Sequence, residues 1–372
     1  MSDDTYRLNS RIATDEKEYL IQTLNDQNRL CVTSSIFSDG ELLETRDEKL
    51  DDGLTPQDTL QRVKDAHEER TKELEFLVDV YKDVMAGGKE DQMIYLGEAL
   101  FYKCMYREAE RLFTSAAQLN PEAHQAWINI GLVNFELRKW SDACNAYSRA
   151  VELRPRFADY RNHLGEAHLA LDSCKRAVIE FEEAVKLNVY YGDAYLNLAL
   201  AYILNAVRRE DFKLFSTHTE RTAEMLRKSE MIMPDMIDQT YLDGKKALER
   251  GDLEQTFQKL LSVREKRKAD RRRGFSNSYL KFMIGTKQMN EKFLSRRIKN
   301  LKDALSINPH FADLHNDLAI AYTLLGSYIH QKAVEEYEKA LTINPDFEKA
   351  KRNLKLSQNE LKGFEVLMKA IL

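Results

Sequence analysis

The sequence predicts a mostly α-helical chain: an α-solenoid of stacked helical hairpins, with a small β-hairpin near the N-terminus. Residues 124–155 read as two short antiparallel helices. Trp127, Ile130, Gly131 and Phe135 recur at helical spacing, Ala143, Tyr147 and Ala150 do so again, and Pro155 closes the unit. Small residues stand where two helices must approach closely, and large ones fill the space beside them. The arrangement then returns about 34 residues later, and again after that. Composition agrees, because 14 Gly and 6 Pro in 372 residues are few for a β-sandwich or a long disordered tail.

Residues 1–13 show no periodicity and are expected to fray. Over 14–28 a short helix is expected, with Thr14 as N-cap and Tyr19, Leu20, Ile21 and Leu24 on its apolar side. Residues 30–46 change character. Val32, Thr33 and Ile36 precede Ser38-Asp39-Gly40, and Leu42, Leu43 and Thr45 follow, which reads as a β-hairpin and is the one strand signal in the chain. Two strands alone are marginal in water, so the hairpin must pack on a helix, extend another sheet or pair with a second copy of itself. An acidic linker at 47–53 leads to Thr55-Pro56, a hydroxyl N-cap and a proline at the first helical position. The helix they open should end at Gly87-Gly88. Its charged first half is expected to be solvated or partner-facing. Its second half, apolar from Leu74 onward, is expected to cover the first repeat.

The repeats then follow in order. Residues 90–123 carry Gly97 and Phe113, 124–157 carry Gly131 and Tyr147, and 158–191 carry Gly165 and Phe181. A fourth unit starts at Gly192, but its second half is delayed by an insertion near 205–219 that should lengthen a helix or form a spur. A fifth, weaker unit at 237–263 keeps Gly244, Ala247, Gly251 and Leu260. A sixth at 278–311 is divergent. The seventh, 312–347, is clear again: Leu318, Ala319, Tyr322 and Gly326, then Ala333, Tyr337, Ala340 and Pro345, with two extra residues near 327–330. Residues 348–372 form a final helix, polar along Lys351, Arg352, Lys355 and Gln358 and apolar at its end.

This pattern resembles the tetratricopeptide repeat family, in about seven copies. The resemblance implies a right-handed solenoid of helical hairpins that binds other proteins, and it is specific for fold while weakly informative about partner. The expected organisation is a helix and β-hairpin module at 1–54, a capping helix at 55–89, the solenoid at 90–347 and a C-terminal cap at 348–372.

Nothing in the sequence reads as an active site. There is no phosphate-binding loop, dinucleotide fingerprint or nucleophile elbow. His163 and His168, like His310 and His315, are spaced five apart and diverge on a helix, so no metal pair is expected. Cys31, Cys104, Cys144 and Cys174 form no C-x-x-C pair. No enzyme activity, cofactor or metal is therefore expected. The opening MSDDTYRLNSR lacks an apolar segment and no run is long enough to span a bilayer, which predicts a cytoplasmic chain without membrane contact. The net charge of −5 conceals an acidic front, with 12 Lys and Arg against 22 Asp and Glu over residues 1–90. A basic run at 264–273 lacks interleaved aromatic residues and is interrupted by Glu265 and Asp270, which argues against nucleic acid.

The function-bearing candidates are the residues that the first helix of each hairpin turns to the concave face. These are Gln125, Ile128, Asn129, Leu132 and Phe135 in the second unit, Asn162, His163 and Glu166 in the third, and Asp193, Leu196, Asn197 and Leu200 in the fourth. They would form an apolar strip edged with amides and acids, suited to an extended or helical peptide. The competing reading is that Ile128, Leu132 and Leu200 only complete the core. Some members of the family clamp the C-terminal carboxylates of heat-shock chaperones with Lys, Asn and Arg. Here Ile94 and Glu98 stand where Lys and Asn are wanted and Asn129 alone matches, so that clamp is not supported. The expected role is a protein-interaction scaffold or adaptor; the alternative is a regulatory or substrate-recruiting subunit of a separately encoded enzyme. A homodimer could form through the N-terminal hairpin or through the apolar tail at Phe364, Val366, Leu367, Met368, Ile371 and Leu372.

Overall fold

The computed structural model describes residues 6–15, 17–26, 28–51, 53–211, 218–266, 291–307 and 312–371. It divides into two compact units, Met1–Phe275 and Ser276–Leu372.

The first unit opens with a four-stranded antiparallel sheet in the order β1-β2-β3-β4: β1 Arg7–Ala13, β2 Glu18–Asp26, β3 Cys31–Ser38 and β4 Glu41–Lys49. The expected hairpin is present as β3 and β4. Its turn places Asp39 at φ 53° and Gly40 at φ 82°, the double positive φ that matches strand twist. The helix expected over 14–28 is not formed, and the stretch expected to fray contributes β1. Tyr19, Leu20, Ile21 and Leu24 fit a helical face, yet the burial of β2 alternates, with Tyr19, Ile21, Thr23 and Asn25 on the inner side. Period two decides here because β2 finds partners on both sides: Ile21 lies opposite Ile36 on β3 and Ser10 on β1. Four strands supply the pairing that an isolated hairpin lacks.

Helix α1, Pro56–Gly87, is capped by the Thr55 hydroxyl, which accepts from the Asp58 N–H. Its first half is not solvated. Val63, Ala66 and Arg70 are buried, and Val63 and Ala66 form a cluster with Val32 of β3. They continue through Leu74, Leu77, Tyr81 and Val84 as one stripe at spacings of three and four, which lies along the sheet. Burial of Arg70 is tolerated because carboxylates meet it. Its guanidinium lies 2.6 Å from Glu44 of β4 and 3.1 Å from Glu73, and the buried Lys103 ammonium lies 3.0 Å from each of the same two acids. Burial pushes the Glu44 carboxyl up, but Lys103 and Arg70 outweigh it and hold the group below its ordinary value. Sheet, long helix and first repeat are thereby joined through buried charges. Breaking one partner of such a set typically costs about 3–5 kcal/mol.

Three regular hairpins follow: α2 Glu90–Tyr102 with α3 Tyr106–Leu119, α4 His124–Glu136 with α5 Trp140–Leu153, and α6 Ala158–Ala170 with α7 Cys174–Leu187. In each, a glycine lies under an aromatic ring of the second helix. A Cβ added at Gly97, Gly131 or Gly165 would stand 2.5, 2.3 or 2.5 Å from Phe113, Tyr147 or Phe181. Each turn uses one residue with positive φ, namely Cys104, Arg138 and Asp172. The repeat therefore governs the turns as well as the faces.

In the fourth hairpin α8, Gly192–Arg208, has 17 residues where the preceding first helices have 13, so the insertion lengthens it by one turn. The extra chain returns through Glu210, whose carboxylate accepts the N–H groups of Cys174 and Lys175 at the start of α7. Residues 212–217 lie outside the described residues; α9, His218–Ile232, completes the hairpin. The fifth is α10, Gln239–Glu249, and α11, Leu253–Lys266, turned at Gly251 with φ 77°. Most of the basic run and much of the sixth repeat lie at 267–290 and 308–311, outside the described residues.

In the second unit α12 is Glu291–Ile307, α13 is Ala312–Ile343 and α14 is Glu348–Ile371. Here the structure corrects the expected seventh hairpin. No turn forms near 327–330, and α13 is one helix of 32 residues running through Gly326. Ile298 and Leu301 of α12 pack with Leu318, Ala321 and Leu325 of α13. Phe364 of α14 meets the His330 ring at 6.2 Å, so this part of the tail folds back on its own unit, while Val366 and Leu367 are exposed.

Candidate functional site

Tyr95, Asn129, His163 and Asn197 occupy the same position in the first helices of four successive hairpins, and Glu98, Leu132, Glu166 and Leu200 occupy the position three residues further on. The helical spacing brings both rows to one face. Hydrogen bonds cross between repeats along it. The Asn129 amide donates to Glu98 at 3.1 Å, and the Asn197 amide donates to Asn162 at 3.0 Å and to Glu166 at 3.4 Å. His163 Nδ1 lies 3.1 Å from Glu166, and its ring stacks on Tyr147 at 5.6 Å. The candidate residues of the second, third and fourth units are thus brought together as a strip.

They are not equally accessible. Gln125 is exposed, and Leu132, Phe135, His163, Glu166 and Asp193 are half-buried. Ile128, Asn129 and Asn162 are buried, and Ile128 belongs to the core with Tyr147, Tyr160 and Leu164. Leu196 and Leu200 have no exposure at all and Asn197 has 1%. The reason is α11, which packs against α8 and sets Leu260 and Val263 in one cluster with Leu196, Leu200 and Ile203. The fifth hairpin thus covers the fourth unit's part of the strip. What stays accessible runs over α2, α4 and α6.

The sequence reading missed the character of that remaining surface. Glu98 and Glu166 stand among Tyr95, Tyr102, Tyr160 and Tyr191. Burial raises all four phenols, and nearby carboxylates raise them further: Glu98 acts on Tyr95, Tyr102 and Tyr160, and Glu166 on Tyr191. The Tyr160 phenol is pushed up to about 12. Two carboxylates, Glu98 and Glu166, thus act on the phenols beside them. Burial also pushes the Glu166 carboxyl up, but the His163 hydrogen bond and charge, Arg264 of α11 and the Asn197 amide together hold it below its ordinary value. Tyrosine at the first-row position of α2 and glutamate one turn on were legible in the sequence, as residues at repeat spacing, once the first unit was compared with the third. Among the described residues no group of His, Cys, Asp and Glu is placed to hold a metal ion. No described helix is long and apolar enough to cross a membrane.

The sequence pattern of the tetratricopeptide repeat matches residues 96–143, 135–188 and 312–347. Among curated proteins, the chain is 30% identical over 92 residues to an Hsp70-Hsp90 organizing protein of Triticum aestivum, a match covering 25% of this chain and 16% of that protein. It is 30% identical over 99 residues to the heat shock protein STI1 of Saccharomyces cerevisiae, covering 26% and 17%. The matched part thus spans about a sixth of the length of these relatives. Among solved structures, the crystal structure of MamA is similar at 22% identity and a TM-score of 0.36, over 46% of this chain and 95% of that one. By the sequence match, with the hairpins and glycine–aromatic contacts of residues 96–188 in support, this chain carries tetratricopeptide repeats.

Proposed function

We propose that the chain is a non-enzymatic protein-interaction scaffold whose strip along α2, α4 and α6 takes an extended segment bearing Lys or Arg side chains. The observation that carries this reading is the placement of the half-buried Glu98 and Glu166 on one face beside the half-buried Tyr95, Tyr102 and Tyr191. Carboxylates give charge-assisted hydrogen bonds to a cation, and phenol rings offer their faces to it. Within the chain, the charges of His163 and of Arg264 on α11 help to hold the Glu166 carboxyl below its ordinary value. The same acids disfavour a carboxylate-terminated ligand, in keeping with Ile94 and Glu98 at the positions of the chaperone clamp.

Fluorescence polarisation with labelled extended peptides of matched length tests the reading. Lys- and Arg-bearing peptides should bind, acidic ones should not, and added salt should weaken the complex. Glu98→Lys should reduce affinity by about tenfold or more, the scale of one charge-assisted hydrogen bond. Equal binding of acidic peptides, or indifference to Glu98→Lys, would remove the proposal.

A further inference from the structure

The second helix of the first hairpin turns cations outward. The inner face of α3 is fixed by Ala109, Leu112, Phe113 and Ala116, all buried. The helical period therefore sends Arg107, Arg111, Thr114 and Gln118 to the opposite side in one row, and each is exposed. The turn from α4 to α5 completes a cleft beside that row. Arg138 takes φ 58° there, the chain reverses, and Leu137 and Lys139 come to line the cleft together with Met85 of α1. Its volume is about 650 Å³.

Three cations line this cleft, Arg107, Arg111 and Lys139, against one carboxylate, Glu110, which accepts from Lys139 at 3.3 Å. Neutral donors stand among them: the hydroxyls of Thr114 and Ser115 and the Gln118 amide. Arg107 and Arg111 are one helical turn apart, about 5–6 Å between their Cβ atoms, so both guanidinium groups can reach one anion.

We propose that the cleft binds a phosphate monoester carried on a serine or threonine of a partner protein. The donor set selects that chemistry. A carboxylate has two oxygens in one plane and a single charge, and one guanidinium fork satisfies it. A phosphate monoester carries about 1.5 to 2 negative charges and three acceptor oxygens. It can engage both guanidinium groups, the Lys139 ammonium and a hydroxyl at once. The cleft is also far larger than a phosphate group, which leaves room for the residues that flank it in a peptide. This site is separate from the acidic strip, because its arginines stand on α3 whereas Glu98 stands on α2. The scaffold thus has a second docking site, of opposite charge, that takes its partner only after phosphorylation.

Fluorescence polarisation on the full chain tests this with a labelled peptide of Gly, Ala and one central phosphoserine, which lacks the cations that the strip would take. It should bind, and the same peptide with unmodified serine should not. Glutamate in place of the phosphoserine should weaken binding by about tenfold or more, the scale of one lost charge-assisted hydrogen bond. Arg111→Gln and Lys139→Gln, each at an exposed position, should each weaken the phosphopeptide by about tenfold with unchanged circular dichroism. Glu98→Lys should leave the phosphopeptide unaffected, and Arg111→Gln should leave a Lys-bearing peptide unaffected. Equal binding of the phosphorylated and unmodified peptides overturns the proposal, as does indifference to both Arg111→Gln and Lys139→Gln. Inorganic phosphate that competes at the same concentration as the phosphopeptide also overturns it, since a free ion would then account for the whole affinity.

Discussion

Residues 96–188 and 312–347 carry the same repeat pattern, yet the first stretch folds into closed hairpins and the second into one uninterrupted helix. The difference lies in the turn and in the interval across it. Cys104, Arg138 and Asp172 adopt positive φ and break the helix, although none is glycine. Gly326, the residue best suited to that conformation, stays helical. A turn forms where reversing the chain seats an aromatic ring on a bare backbone, and that reward returns the cost of the strained residue. In the closed hairpins the ring comes 16 residues after its glycine. In α13 the corresponding residues, Ala319 and Tyr337, are 18 apart, and a turn of the regular length would rotate Tyr337 by about 200° from its seat. The periodic residues specify helix faces; the interval decides whether the faces close on each other.

Four experiments break or sharpen that comparison. Tyr147→Ala should cost about 4 kcal/mol in urea unfolding, because the ring is buried against Gly131, whereas Tyr337→Ala, at a half-buried ring, should cost about 1–2 kcal/mol. Gly131→Ala should cost about 2 kcal/mol by overpacking, since its Cβ would stand 2.3 Å from the Tyr147 ring. At Gly326 nothing lies within 4 Å, and Ala there should stabilise by about 0.5–1 kcal/mol through helix propensity. A loss of similar size would instead reveal a left-handed turn residue. The smallest effect concerns the strip. The Glu166 carboxyl is depressed in the folded chain, so its contribution is present above the ordinary value of 4.5 and lost as pH falls through the lower folded value. Glu166→Gln should therefore narrow its gap from the parent protein when unfolding midpoints are compared from pH 7 down to pH 3.

The repeats were legible because their packing residues recur at fixed intervals and each has a single use. The strands β1 and β2 were not. Tyr19, Leu20, Ile21 and Leu24 satisfy period 3.6 as well as period 2, and only the pairing with β3 selects between them. The stripe of α1 was read only from Leu74 onward, and its charged first half, with Val63, Ala66 and Arg70, was expected to be solvated or partner-facing. Burial of Arg70 depends on Glu44, which comes from a distant strand. In the strip, the positions followed from the repeat, while accessibility did not. Leu196 and Leu200 read as groove residues until α11, a helix from another repeat, is seen to cover them. Long-range pairing of this kind leaves no local periodic trace.

The central claim is that the 18-residue interval keeps α13 straight. Spin labels at positions 319 and 337, in a background with Cys104→Ser and with labelled chains diluted into unlabelled protein, report the distance within one chain. The account predicts a single distance near 27 Å, the rise of about 18 helical residues. A short distance that survives dilution would show a closed hairpin and contradict it.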